Sequence, residues 1–285
     1  MSAKLTVAHW VEGVPRKQWV REDAGFEAIG STVPAVIADS RPLSEVHRLD
    51  LSLFVIFEEA ALRVSGALTR SAPSNEALYF AAQQTLDEAR HHEIFMTRLA
   101  QSCKAVGIDD PTINEEIKTP PLRRFLEHCD EVVDRGRFVD GLVLMNLVFE
   151  GMAYPLYAYE QRYWHPVDPY LSALIRAAFA DESRHVGAGI DMVRKYASCK
   201  GTTPPELTAL CRDATLLMNE VFEYYVLKFV KLFDVVARRH ADLFADAEFA
   251  PGQLISQTPY KEQVAAIHHS IESQHDRILS RAGLR

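Results

Sequence analysis

LDEARHHE (residues 86–93) and ADESRH (residues 180–185) carry the same string, D-E-x-R-H, at two places in one chain. Residues three apart on a helix share a face, with Cβ atoms about 5–6 Å apart. Glu88/His91 and Glu182/His185 therefore each aim a carboxylate and an imidazole at one point. Alone, E-x-x-H is weak: 22 glutamates and 11 histidines in 285 residues produce roughly one by chance, and three occur. The third, Glu272/His275, lies in a polar stretch near the end of the sequence with no matching acid on a preceding helix, and reads as the chance one. The longer shared string does not arise twice by accident. His92 is rotated about 100° from His91 and reads, with Glu93, as a bystander.

A second echo precedes each string. FVIFEEAAL (residues 54–62) and MNLVFEGMAY (residues 145–154) share an F-E core, Phe57-Glu58 matching Phe149-Glu150. The order is E, E-x-x-H, E, E-x-x-H. Glu58 and its neighbour Glu59 are both candidates, and the F-E match favours Glu58. Glu58 lies 13 residues before Ser71 and Glu88 13 after Asn75; Glu150 lies 14 before Trp164 and Glu182 14 after Asp168. In an antiparallel helical hairpin, equal arms mean equal height. Two such hairpins packed face to face place four carboxylates and two imidazoles in one layer. Bare carboxylates that close in a core repel and are costly to desolvate. Two cations remove both problems, and the oxygen and nitrogen donor set suits iron or manganese. A glutamate from each of two helices plus Glu-x-x-His from two others is the pattern of dinuclear carboxylate bundles.

Helical periodicity dominates from residue 43 onward. The expected helices are 43–70, 75–106, 120–134, 137–164, 168–198, 205–243 and 260–281, with Asn75 and Asp168 as N-caps. Residues 1–42 read as an irregular N-terminal arm, 43–200 as the metal-binding four-helix core, and 201–285 as accessory helices of the same single domain. No convincing strand pair is found. The expected class is all-α: a ferritin-like four-helix bundle with additional helices.

Composition narrows the function. A 48% hydrophobic, 25% charged chain is ordinary for a globular protein. A net charge of −8 with no basic run argues against nucleic acid. Leu142 to Tyr159 is long enough to span a bilayer, but Asn146, Glu150 and Pro155 interrupt it, so it reads as a buried bundle helix and no membrane association is expected. The four cysteines form no C-x-x-C pair and the first residues lack an apolar signal core, so a cytoplasmic protein is expected.

On these residues the sequence resembles the ferritin-like di-iron carboxylate superfamily. It stands on the side of the ribonucleotide reductase small subunit and the acyl-carrier-protein desaturases, nearest the small-subunit-like ligand-binding oxidases. The likeness covers roughly residues 43–200. It implies metal ligands Glu58, Glu88, His91, Glu150, Glu182 and His185, two irons (with Mn/Fe as the alternative), and dioxygen as co-substrate. It implies oxidation of a small organic substrate by hydroxylation, desaturation or N-oxygenation. An electron donor such as a ferredoxin and its reductase, and a homodimer, come with it. Asp87, Arg90, Asp181 and Arg184 recur beside both ligand pairs. As surface i,i+3 pairs they would contribute little; as a brace, each Asp accepts the free ring N–H of a ligand histidine and each Arg orients its Asp. The departures are equally informative. Phe95 stands where the reductase subunit keeps a radical tyrosine, and SRAGLR ends the sequence without an acidic docking tail. Ala61 and Met145 stand where the ligand-binding oxidases form a valine–tyrosine cross-link, and Ala178 where arylamine oxygenases add a histidine. Asn146, Tyr154 and Tyr157 are candidates to line a substrate pocket, widened by a kink at Pro155 and by Gly187 and Gly189. Alternatives are a non-catalytic iron or manganese storage bundle and a tyrosine-less reductase small subunit.

Overall fold

The computed structural model describes residues 32–109, 117–197 and 204–285. Residues 1–31 of the arm expected over 1–42, and residues 110–116 and 198–203, lie outside the described residues. The described chain is helical almost throughout: α1 (Ala35–Asp39), α2 (Arg41–Ser71), α3 (Asn75–Ala105), α4 (Pro120–Arg135), α5 (Phe138–Trp164), α6 (Pro169–Tyr196), α7 (Pro204–Arg239) and α8 (Tyr260–Ala282). α2 pairs along α3, and α5 along α6; these two hairpins make the four-helix core. α4 packs on α7, which also lies against α5, and α8 lies against α5, α6 and α7. The architecture is a ferritin-like helical bundle with additional helices.

Local chemistry sets the ends. Ser74, not Asn75, caps α3, its Oγ accepting from Ala77 N at 3.2 Å. Both residues are good caps, so a one-residue error is the natural one. Asp168 caps α6 as expected, accepting from Leu171 N at 3.0 Å, and Pro169 follows in the first turn. The irregular arm does not extend to residue 42: Pro34 leads into α1, and Pro42 sits in the first turn of α2, where no N–H is missed. α7 stops at Arg239, short of residue 243. A small antiparallel pair, β1 (Glu248–Ala250) and β2 (Gln253–Leu254), corrects the expectation of no strands. It turns at Pro251-Gly252, where Gly252 takes φ +75°, and is too short to show alternation.

α5 is long and apolar enough to cross a membrane by composition, yet 78% of its apolar window is buried inside the protein, as befits the bundle's central helix. It departs from α geometry over Val143–Phe149, which is π-helical. Beyond that it is α-helical from Glu150 to Trp164, with Pro155 inside the helix. Tyr163, Trp164 and Phe233 stack at the far end of α5 and tie it to α7, Tyr163 and Phe233 with centroids 4.0 Å apart. Each fully buried ring of this kind contributes about 1.5–3 kcal/mol.

Below that cluster lies a closed polar knot. Asp168 accepts from Arg98 Nη2 at 2.7 Å (Oδ1) and Arg98 Nε at 3.0 Å (Oδ2). His47 Nε2 stands 3.0 Å from Asp168 Oδ2, and His47 Nδ1 2.8 Å from Ser102 Oγ. All four side chains are at most 1% exposed. Burial pushes the His47 imidazole down against the pull of Asp168, so it stays neutral and the knot is one arginine cation against one carboxylate.

Candidate metal centre

Equal arms do bring the two hairpins to one level. Glu58, Glu88, His91, Glu150, Glu182 and His185 are all 5% exposed or less, inside the bundle. They form two overlapping quartets. In one, ligand atoms of Glu58, Glu88, His91 and Glu182 lie within 4.8 Å of one another; in the other, those of Glu88, Glu150, Glu182 and His185 do. Glu88 and Glu182 belong to both. Glu59 is elsewhere, 42% exposed at its side chain and 2.6 Å from Arg63.

The imidazoles face the centre through Nδ1. His91 Nδ1 lies 3.1 Å from Glu182, and His185 Nδ1 lies 3.2 Å from both Glu88 and Glu150. Their Nε2 atoms point outward to the two aspartates, but across the hairpins. His91 Nε2 reaches Asp181 at 3.2 Å and His185 Nε2 reaches Asp87 at 3.3 Å. Each helix thus orients the other's histidine. In a neutral imidazole, an Nε2–H donating to the aspartate turns the Nδ1 lone pair toward the centre. Arg90 donates to Asp87 at 2.6 Å, and Arg184 pairs with Asp181. Burial favours a protonated Asp87, but His185, Gln83 and Arg90 outweigh it and hold the carboxyl below its usual range.

The outer carboxylates are held differently. Glu150 accepts from Gln84 Nε2 at 2.6 Å and Asn146 Nδ2 at 3.0 Å. Glu58 accepts from the Tyr157 hydroxyl at 3.1 Å. The Tyr154 hydroxyl donates instead to the backbone carbonyl of Glu182. Gln84 was not expected. Its signal is its position: a polar side chain four residues before Glu88, on the same helix face, as Asn146 is before Glu150.

Electrostatically the cluster is unbalanced. Burial pushes Glu58 up to about 7 and Glu150 well above the carboxylate range. Burial would lower the histidines, but the surrounding carboxylates drive both well above an ordinary imidazole. Burial would also raise Glu182, and the two histidines hold it down instead. Both Glu88 oxygens are buried without a hydrogen-bond donor. A shared acid with no donor, ringed by carboxylates and imidazole Nδ1 atoms, fits a pair of cations that Glu88 and Glu182 would both help to hold.

One side of the cluster opens on an apolar cavity between α2, α5 and α7. Glu58, Glu88, Glu150, Glu182 and Tyr157 touch it. Asn146 and Tyr154, the other two expected pocket residues, are not in its lining. They lie on the α6 side, where Asn146 fills the space beside Gly189: a Cβ on Gly189 would stand 2.4 Å from Asn146 Cβ. Gly187 faces open space. Glu272 and His275 are outside the cluster, His275 Nε2 lying 2.9 Å from Thr215 Oγ1.

No family model and no curated protein sequence matches the chain. Solved structures do. A valine-to-leucine variant of an R2-like ligand-binding oxidase, with an aerobically reconstituted Mn/Fe cofactor, superposes with TM-score 0.62 over 94% of this chain and 92% of that one, at 15% identity. The fold is that of the R2-like ligand-binding oxidases. Another structure of such an oxidase with an aerobically reconstituted Mn/Fe cofactor gives 0.61 at 15% identity, over 92% and 91% of the two chains. A valine-to-alanine variant with the anaerobically reconstituted cofactor gives 0.59 at 16%, over 95% and 94%. Within the R2-like fold, Ala61 and Met145 both line the cavity, and Phe95 stacks on Phe54 with centroids 4.4 Å apart.

Proposed function

We propose that this protein is a dinuclear-metal, dioxygen-activating oxidoreductase of a small organic substrate. The observation that carries the reading is the pair of donor quartets sharing Glu88 and Glu182 and opening on an apolar cavity. Glu58 and His91 would hold one ion, Glu150 and His185 the other, and Glu88 and Glu182 would contribute to both. When bound there in the reduced state, the two ions would supply dioxygen activation. The chain's own part is positional. Asp87 and Asp181 fix the imidazoles in the tautomer that offers Nδ1. Gln84 and Asn146 hold Glu150, and Tyr157 holds Glu58 from the cavity side. Phe54, Phe57, Phe149 and Phe222 keep water from the cluster and leave an apolar substrate beside it.

Hydroxylation, desaturation and N-oxygenation all fit this arrangement. The reading includes a di-iron centre with Mn/Fe as its alternative, a cytoplasmic location, a homodimer, and electrons from a ferredoxin and its reductase or a chemical reductant. Anaerobic reconstitution with Fe(II), alone and with Mn(II), followed by metal analysis and oxygen exposure, tests it. The expected result is two metals per chain and a transient visible chromophore. Steady uptake of many irons per chain would overturn it in favour of storage.

A further inference from the structure

The cavity has two polar ends. One is the carboxylate and histidine cluster. The other is Asp50 of α2 and Glu160 of α5. Asp50 precedes Glu58 by eight residues and Glu160 follows Glu150 by ten, so at 1.5 Å per residue the second pair stands about 12–15 Å from the first along the helices. The wall between is apolar, with Leu53, Phe54, Phe57, Ala153 and Leu156. Asp50 is 0% exposed. Its Oδ2 accepts the indole N–H of Trp164 at 2.6 Å. Its Oδ1 receives no hydrogen bond from an amide, hydroxyl, amine or guanidinium group. Only the Glu160 carboxyl stands beside it, and that group donates only when protonated.

Among the described residues no lysine, arginine or histidine pairs with either acid. An aspartate that merely anchored Trp164 would need one oxygen and no second acid. Two carboxyls side by side in an apolar cavity cost free energy unless they share a proton or meet a cation. Burial pushes both upward, Asp50 to about 7. The pair thus sits poised between the shared proton and a bound donor.

We infer that Asp50 and Glu160 form a head-group subsite that receives the ammonium of an alkyl- or arylalkylamine, whose apolar part lies along the cavity toward the metal-binding cluster. That this amine is the substrate rests on the oxidoreductase reading; that it binds does not. A primary ammonium offers three donors. One reaches Asp50 Oδ1, one reaches Glu160, and the ammonium replaces the shared proton as counter-charge. A carboxylate head is repelled at this end, and an alcohol gains only neutral hydrogen bonds.

Calorimetric titration of the full-length protein, metal-free and iron-loaded, with n-octylamine, n-octanol and octanoate near neutral pH tests the subsite. n-Octylamine should bind at least about tenfold tighter than n-octanol, with octanoate weaker still, as expected for charge-assisted bonds. Glu160→Gln should cost n-octylamine about tenfold in affinity and leave n-octanol within about twofold. Asp50→Asn, which keeps an acceptor for Trp164, should do the same. Equal binding of amine and alcohol by the native protein, or an unchanged amine affinity in Glu160→Gln, overturns the subsite. If Asp50→Asn does not fold, those two comparisons decide. Iron content measured on the same samples separates the readings. Lost amine preference with two irons bound removes the subsite alone; amine preference without iron uptake removes the oxidoreductase reading alone.

Discussion

Two of the polar centres buried among the described residues are built on opposite terms. The knot of His47, Arg98, Ser102 and Asp168 closes on itself. Its one carboxylate takes donors from a guanidinium, an imidazole and the backbone N–H of Leu171, and its charges cancel. The cluster around Glu88 does not close. Four acids and two imidazoles face inward, and the most central acid receives no hydrogen bond. Burial is equal in the two. What differs is whether the protein supplies every partner, and only the centre left short of partners asks for something from outside.

Removing a shared acid is the strongest way to test that contrast. Glu88→Ala or Glu182→Ala strips a ligand from both quartets and should reduce bound iron from two per chain to almost none. Glu150→Ala spares the Glu58/His91 quartet and should leave about one. Metal analysis after anaerobic loading reads the difference, and equal losses for all three would break the assignment of Glu88 and Glu182 to both ions. Stability should respond in reverse. Asp168→Asn leaves Arg98 buried without its carboxylate and should cost about 3–5 kcal/mol by denaturant unfolding. Glu88→Gln in the metal-free protein should cost far less, because neither Glu88 oxygen receives a hydrogen bond that the exchange would break.

pH sharpens the comparison at smaller amplitude. Glu58 is raised from 4.5 to about 7 and Glu150 and both histidines are raised too. The metal-free native protein therefore holds more protons than its unfolded chain above pH 5. Its stability should fall, by about 1–3 kcal/mol, as pH rises from roughly 5 to 8. The lowered Glu182 acts in the opposite sense only below its ordinary 4.5. Metal displaces the same protons, so the loaded protein should show the reverse trend. Urea midpoints across that range, with and without iron, measure both slopes. The smallest effect belongs to Glu59→Gln. An exposed i,i+4 pair with Arg63 is worth less than about 0.5 kcal/mol, and both metals should stay bound.

Much of this was legible in one dimension because helices convert spacing into direction. The i,i+3 pairs, the matched arms and the F-E echo rest on local geometry alone, and the six side chains meet where they point. Glu59 separates from Glu58 for the same reason: one residue further is another face. What depends on two helices together could not be read so. Asp87 serves His185 and Asp181 serves His91, because the packing of α3 on α6 sets those pairs. The cavity lies on the α2 side rather than the α6 side, since the space beside Gly189 is taken by Asn146. Asp50 and Glu160 are 110 residues apart and announce nothing separately.

The π-helical turn of α5 sets a condition of another kind. Upstream of it, Gly141 lies so close to Leu68 of α2 that a Cβ would come within 2.5 Å, and downstream Glu150 must face the cluster. The two anchors fix the angular phase of one helix at both ends, and the wide turn absorbs the mismatch between them. Deleting a single residue between Gly141 and Glu150 would leave an ordinary apolar helix, with its hydropathy intact. It would also swing Glu150 through about 100° relative to Gly141. The centre is therefore far more sensitive to the length of this stretch than to its composition, and a frame-preserving deletion here should silence it where a dozen conservative exchanges would not.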